Sequence, residues 1–451
     1  MIDDRREIAG WSMYDWANSA FQAVVITALA GPYLTALAQS AVGDNGVVVS
    51  LGPLGAVTAK SFYPYCIAVS VIVQVVMLPV VGAVADYTHR KKLLMAAFCY
   101  LGAGATCLMV FTSADRLLLG GACLIVANVS FGGAAVLYNA FLNDIASPAR
   151  RDAVSSRGYA YGYLGGGLVL ALDLGLVMAA PSLGIGRDLA VRLSLLSAGL
   201  WWGGFAVITF ARLHTRRPAA TRPVGRSLAA IGLARAGEAI ADLRRLPHTF
   251  RFLVAYLLYN DGIQTVISVS SVFLAQELFV ARGLETDEAF LMGLILMVQF
   301  VAFGGALLYE RIAARVGTRT AILSALVIWT AIVLYAYAWL ETTTQAWGLG
   351  AAIAIVLGGS QALSRSLFSR IIPAGREASF YGLYEISERG SSWIGPFIFG
   401  AIAGATGSYR RAMLSVVGLF GLGLLVLLAT DTDRAARDAA RESCSDGPLA
   451  V

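Results

Sequence analysis

Along the chain, runs of about 20 or more mostly apolar residues alternate with short stretches that gather the charge. Only a helix satisfies its own backbone inside a bilayer, and about 20 residues carry one across ~30 Å of hydrocarbon. Twelve runs meet that length, at roughly 9–38, 62–84, 93–113, 117–140, 157–180, 190–211, 250–276, 288–309, 319–340, 346–368, 378–403 and 411–429. The pattern predicts an all-α integral membrane protein with twelve transmembrane helices. An even number of crossings puts both ends on one side.

Charge then orients the chain. On the side of the N-terminus fall Arg5, Arg6, Arg90, Lys91, Lys92, Arg150, Arg151, Arg157, nine arginines between 212 and 251, and those at 311–319, 365–389 and 434–441. Together these are 27 of the 34 basic residues. Loops rich in Lys and Arg stay in the cytoplasm, so both termini are expected there, in a plasma or bacterial inner membrane. The net charge of +6 is then a topology signal, and no nucleic-acid motif accompanies it. The longest hydrophilic stretch predicts a division into a six-helix bundle (1–211), a central cytoplasmic loop (212–249), a second six-helix bundle (250–429) and a cytoplasmic tail (430–451). Within the loop, Leu228, Ile231, Ile240, Leu243 and Leu246 recur at near-helical spacing and predict an amphipathic helix on the membrane surface. The opening "MIDDRREIAG" mixes acids with bases and lacks a small-residue cleavage site, so the first helix is expected to be retained.

Composition narrows the function. With 58% hydrophobic and only 14% charged residues, the chain is unlike a soluble enzyme. Its five cysteines form no CxxC pair, and none of its three histidines falls in an apolar run, which argues against a disulfide framework or a metal site. Lys60, Lys91 and Lys92 follow Ala, Arg and Lys, so no Gly-Lys-Ser/Thr phosphate loop exists. No enzyme activity, catalytic group, metal or cofactor is expected.

The two halves echo each other. "PARRDAVS" from Pro148 matches "PAGREASF" from Pro373, "GAVADYTHRKKLL" from Gly82 matches "GALLYERIAARVG" from Gly305, and "YDWANSAF" from Tyr14 parallels "YNDGIQTV" from Tyr259. Three correspondences in the same order point to a duplicated six-helix unit, the parallel-repeat plan of alternating-access transporters.

"GAVADYTHRKK" is similar to the loop after the second helix in the major facilitator superfamily, with Gly82, Asp86, Arg90 and Lys91 on its pattern. The set "YDWANSAF", "YNAFLNDIA", "SSRGYAYGYLGGG", "YNDGIQTV", "SRSLFSRIIP" and "FYGLYEISERGSSWIGP" resembles the vacuole-effluxer (autophagy-related amino-acid effluxer) family of that superfamily. The resemblance implies the major facilitator fold, two pseudo-symmetric six-helix bundles, and transport; in that family fungal members export amino acids from the vacuole. The second copy of the loop motif carries Tyr309 and Glu310 where the first has Asp86, so gating by the two copies is expected to differ.

The candidate site rests on polar residues inside apolar runs. Counted from Arg6 and Arg251, Asp15 and Asp261 lie about 14 Å into their helices, near the midplane. Charge at that depth is costly in lipid, so it should face a polar cavity or a partner. Asn18 and Gln264 fall three residues on, on the same helix face. Pseudo-symmetry would set the two stretches as opposing walls of one site; the bland reading makes each Asp a latch between helices. In the eleventh run, Glu385 and Arg389 are spaced as an intrahelical pair, leaving Glu388 either to carry a proton or to pair with Arg365 or Arg370. Tyr138 and Asn139 line the cavity or serve packing, Asp173 is an outer gate or lies near headgroups, and Trp16 is packing or a substrate wall. The glycines Gly158, Gly162, Gly165, Gly166 and Gly167 are spaced for close helix packing.

At the loop ends, Asp86, Arg90, Arg151, Asp152, Arg376 and Glu377 are read as a cytoplasmic gate whose ion pairs form when the inner side closes; anchoring of positive loops is the alternative. The reading is a monomeric secondary transporter in the bilayer, moving a small polar solute, an amino acid, outward by alternating access, with protons as the coupling ion. A lipid or hydrophobic-compound translocator, or a non-transporting sensor of the same fold, are the alternatives.

Overall fold

The computed structural model describes residues 2–44, 46–50, 56–215, 234, 237–239, 241–390 and 392–445. Its long helices are α1 Arg5–Val42, α2 Ala59–Asp86, α3 Lys91–Phe111, α4 Ala114–Ile145, α5 Arg151–Ala179, α6 Arg187–Arg212, α7 Pro247–Arg282, α8 Glu288–Val316, α9 Thr318–Ala338 and α10 Thr343–Arg370. The eleventh crossing is broken into α11a (Glu377–Glu385) and α11b (Ile394–Thr406), followed by α12 Tyr409–Leu428 and a last amphipathic helix, α13 Thr432–Ser445. Among the described residues, eleven helices are long and apolar enough to cross a membrane, and the broken eleventh completes the twelve. Large apolar side chains such as Ile72, Leu172, Phe397 and Leu425 stand exposed on the outside. On a soluble protein such a surface would aggregate; here it is the lipid face.

Two local departures bring polar groups into place. α1 contains a wide π turn over Phe21–Leu29, and between α11a and α11b a second one covers Ile386–Gly390. Such turns insert an extra residue and re-aim the side chains around them. The second holds Glu388 and Arg389. A short hairpin, Val47–Ser50 against Ala56–Thr58, caps the far side after α1. The sequence pattern did not predict it.

The glycine run of α5 behaves as packing. A Cβ on Gly162 or Gly166 would press on Ser19 of α1, and one on Gly165 on Trp16. Trp16 itself stacks on Trp201 inside the N-terminal half, with ring centroids 5.6 Å apart. Asp173 is also internal to that half, accepting from the Ser197 hydroxyl at 2.7 and 2.9 Å.

The tail after α12 carries a helix: α13 packs beside α7, with Ala435 and Ala439 buried and the Ser443 hydroxyl accepting from the Ala374 N–H at 2.8 Å. Of the proposed central amphipathic helix, Leu228, Ile231 and Ile240 lie outside the described residues, while Leu246 is buried just before α7.

Candidate functional site

Call the face bearing the start of α1 and the end of α12 the terminal face. Asp15, on α1, lies three helical turns in from it. The α1 backbone can approach α5 closely there because a Cβ at Gly158 would sit 2.5 Å from its carboxylate. Into the gap comes Arg365 of α10, from the opposite half, forming an ion pair at 3.3 Å. All five guanidinium N–H donors are used: Nε donates to Ser155 Oγ (2.9 Å), one outer nitrogen to Asp15 and to Asn139 Oδ1 (both 3.3 Å), the other to Asp15 (3.3 Å) and to the Ser155 carbonyl (2.9 Å). Its flat faces lie over the rings of Trp11 and Tyr159, 4.9 and 4.2 Å from their centroids. Tyr138 completes the Asp15 shell with a 2.7 Å hydrogen bond and stacks on Trp11.

A second cluster adjoins it. Asn139 donates to Glu385 Oε1 (2.7 Å) across the seam, and Glu385 pairs with Arg389 at 2.9 Å, as the four-residue spacing predicts. Arg389 also lies over the Phe131 ring of α4, 4.6 Å from its centroid. Glu388 takes neither predicted arginine: Arg365 is held by Asp15 and Arg370 by Asp152. Its partner is the Tyr256 hydroxyl, at 3.1 Å.

The two acids have different surroundings: Asp15 meets Arg365 of the other half, and Asp261 lies against its own half. Asp261 is buried beside the start of α11b, approached by the Gly395 N–H, and has no side-chain donor among the described residues. Asn18 is buried and Gln264 half-buried, neither joined to its neighbouring acid by a hydrogen bond. The wall facing Asp15 is Arg365, which composition had counted with the loop arginines. Sequence reasoning offers Arg365 as a partner for Glu388 and not for Asp15, and it passes over Ser155, Tyr159, Tyr163, Tyr256 and Tyr384.

Of the predicted gate, part closes the seam on the terminal face. Asp86 accepts the Ala378 and Ser379 backbone N–H groups (3.0 and 2.9 Å) and the Ser379 hydroxyl (2.6 Å), capping α11a from the other half. A helix N-terminus offers free N–H groups and a positive dipole end to such a carboxylate. Arg151 donates to the Ser369 carbonyl (2.7 Å), and Asp152 takes Arg370 (2.7 Å), Thr318 (2.7 Å) and Ser366 (2.5 Å). Of the others, Arg90 is exposed while Lys91 beside it pairs with Asp144, Arg376 pairs with Asp242, and Glu377 accepts the Gly375 N–H and lies within electrostatic reach of Lys91 across the seam. The second motif copy differs as its sequence predicts. Where Asp86 caps α11a, Tyr309 packs onto Gly359 of α10.

Near the terminal face Asp4, Glu7 and His214 gather. Glu7 accepts the His214 N–H at 3.0 Å, which ties the start of α1 to the end of α6.

Two six-helix halves meeting at a buried polar seam define a transporter of the major facilitator fold. Solved structures agree on the fold: the human organic anion transporter MFSD10 (TM-score 0.69, 16% identity, 94% of this chain and 99% of that one) and FucP in the outward conformation (0.69, 10%, 94% and 98%). The family model described as "Vacuole effluxer Atg22 like" matches residues 3–440, and the chain belongs to that family. Among relatives, the uncharacterized MFS-type transporter YxiO of Bacillus subtilis is 29% identical over 92% of this chain and 93% of its own. Autophagy-related protein 22-1 of Penicillium rubens is 27% identical over 96% and 91%.

Proposed function

We propose that this chain is a secondary transporter that exports an amino acid by alternating access, driven by protons. The observation that carries this reading is the seam at mid-helix, which holds both signs of charge: the Asp15–Arg365 pair across it, the Glu385–Arg389 pair beside it, and Glu388 in addition. The ammonium of an amino acid calls for an acid inside the fold, which Glu388 supplies beyond the two ion pairs. A lipid translocator would not keep five charged groups there. The family's description as vacuole effluxers supports export. Proton use is supported by the proton:xylose symporter XylE, a structural neighbour (TM-score 0.63, 12% identity), and by Asp261, a carboxyl that gains or loses a proton without breaking an ion pair.

The count of arginines by loop supports a cytoplasmic terminal face and the domain limits 1–211, 212–249, 250–429 and 430–451. Contacts across the terminal face support a closed cytoplasmic side, so cargo loads when the seam opens inward and leaves after it closes again.

The test is counterflow in proteoliposomes loaded with mixed amino acids, read by mass spectrometry with and without a pH gradient. Selective exchange, lost in Asp15→Asn, is expected. Absence of exchange for every amino acid would remove the cargo; equal fluxes with and without the gradient, in wild type and in Asp261→Asn, would remove the proton.

A further inference from the structure

We propose that Glu388, hydrogen-bonded by Tyr256, binds the cargo's amino group, so that a protonated amine is the obligatory handle and Arg365 is not a cargo ligand. This rests on the amino-acid reading above and assigns its chemistry within the site.

Charge balance comes first. Asp15 and Arg365 cancel; Arg389 pairs with Glu385 and also lies within electrostatic reach of Glu388, so two acids against one arginine leave one excess negative charge in the seam. Arg365 has no donor to spare: its five N–H groups go to four acceptor atoms, Asp15 Oδ2 taking two, it is 2% exposed, and aromatic rings cover its faces. A substrate carboxylate could reach it only by displacing Asp15, Asn139 or Ser155. Glu388, in contrast, is half-buried, on the wide turn that swings it out of the α11a register.

Its surroundings suit a cation. Tyr256 donates to the Glu388 carboxylate and stacks on Tyr384, with centroids 4.2 Å apart. Tyr159 and Tyr163, from α5 across the seam, lie within electrostatic reach of the same carboxylate and are half-buried. Phenol rings attract an ammonium through their π faces, and a carboxylate fixes its position. Asn260 holds the Glu388 backbone carbonyl at 3.2 Å, and the Ser392 hydroxyl donates to it as well, so the acid is aimed rather than loose. Tyr256 acts as a positioning residue.

The experiment compares four competitors in leucine counterflow by the full-length protein: leucine, isopentylamine (the same molecule without its carboxylate), N-acetyl-leucine, and 4-methylpentanoate (without its amine). Leucine and the amine are expected to compete, and the two lacking a protonated amine to fail by at least tenfold. Competition by 4-methylpentanoate equal to that of leucine would overturn the proposal and leave the amino-acid reading standing. Absence of exchange for leucine and every other amino acid would defeat both. Glu388→Gln, checked as monodisperse by gel filtration, should lose counterflow at least tenfold, with partial return in Glu388→Asp. Counterflow needs no gradient, so a Glu388→Gln protein that keeps it but loses pH-driven flux would make Glu388 a proton site and overturn the proposal. Tyr256→Phe keeps the ring and removes the donor; a raised KM at unchanged kcat is expected, and equal KM would overturn its positioning role.

Discussion

Among single residues, Arg365 sets the largest penalty. It is buried and matched by Asp15, and removing one member of such a pair strands a charge in low dielectric, at a cost of about 3–5 kcal/mol. Arg365→Ala is expected to lower the melting temperature of the detergent-solubilised protein by several degrees. Asp15→Asn/Arg365→Met, which removes both charges, should recover much of the loss without recovering transport. Arg365→Lys keeps the charge but cannot reproduce five directed bonds, and should stay closer to Ala than to wild type in flux. At the other extreme of burial, Asp3 at the surface accepts the Ser147 backbone N–H at 3.0 Å, with its carboxyl held below the ordinary value of 3.8 mainly by that bond. A lowered folded value stabilises above the unfolded pKa and is lost as pH falls through the folded one. The stability gap between wild type and Asp3→Asn should therefore be constant from pH 5 to 8 and shrink below about pH 4, as thermal melts across that range would read.

Helices bring their own constraint where α2 crosses α11a. A Cβ on Gly82 would meet the Ala378 carbonyl at 2.1 Å, and one on Gly382 the Leu78 carbonyl at 2.8 Å; both obstacles are backbone and cannot rotate away. Gly82→Ala should force the two helices apart and unseal the terminal face. In a background without native cysteines, Ala362→Cys, buried at the seam, should then gain reactivity toward a maleimide applied from that face. Unchanged labelling would show that the crossing does not hold the seal. Much of this architecture is legible in the sequence, for reasons that are physical: each long apolar run has only the membrane to go to, and an acid such as Asp15 inside a run advertises a partner. The partner is not legible. Arg365 sits only five residues before Arg370, and spacing alone cannot tell a loop arginine from one that reaches about 7.5 Å deeper along the helix. The break at Ile386–Gly390 hides because "ISERGSSW" reads as the polar face of a continuing helix. The final helix hides because alanines, Ala435 and Ala439, rather than leucines mark its buried side.

Across the molecule, the proposed alternating access rests the closing of the terminal face on a few bonds near its rim. Asp86 draws three hydrogen bonds from α11a, and Asp152 draws three from α9 and α10, one of them from Arg370. Bonds to a charged acceptor contribute about 1.5–3 kcal/mol each in favourable cases, but the amide of Asn retains part of the geometry. Replacing both acids by Asn should thus cost the sealed state about 3–6 kcal/mol, since the two sites share no partner and should add. Moving an equilibrium from 1:99 to 99:1 takes about 5.5 kcal/mol. Asp86→Asn/Asp152→Asn is therefore expected to make the terminal-side-open state a major population, while each single variant shifts it partway. Spin labels at exposed positions Arg90 and Arg315, on the loop after α2 and the end of α8, would report the change as a longer inter-label distance by pulsed electron resonance. A double variant with the wild-type distance distribution would locate the seal in the apolar packing of α2 on α11a and α5 on α8 instead, and the charged rim would then serve topology alone.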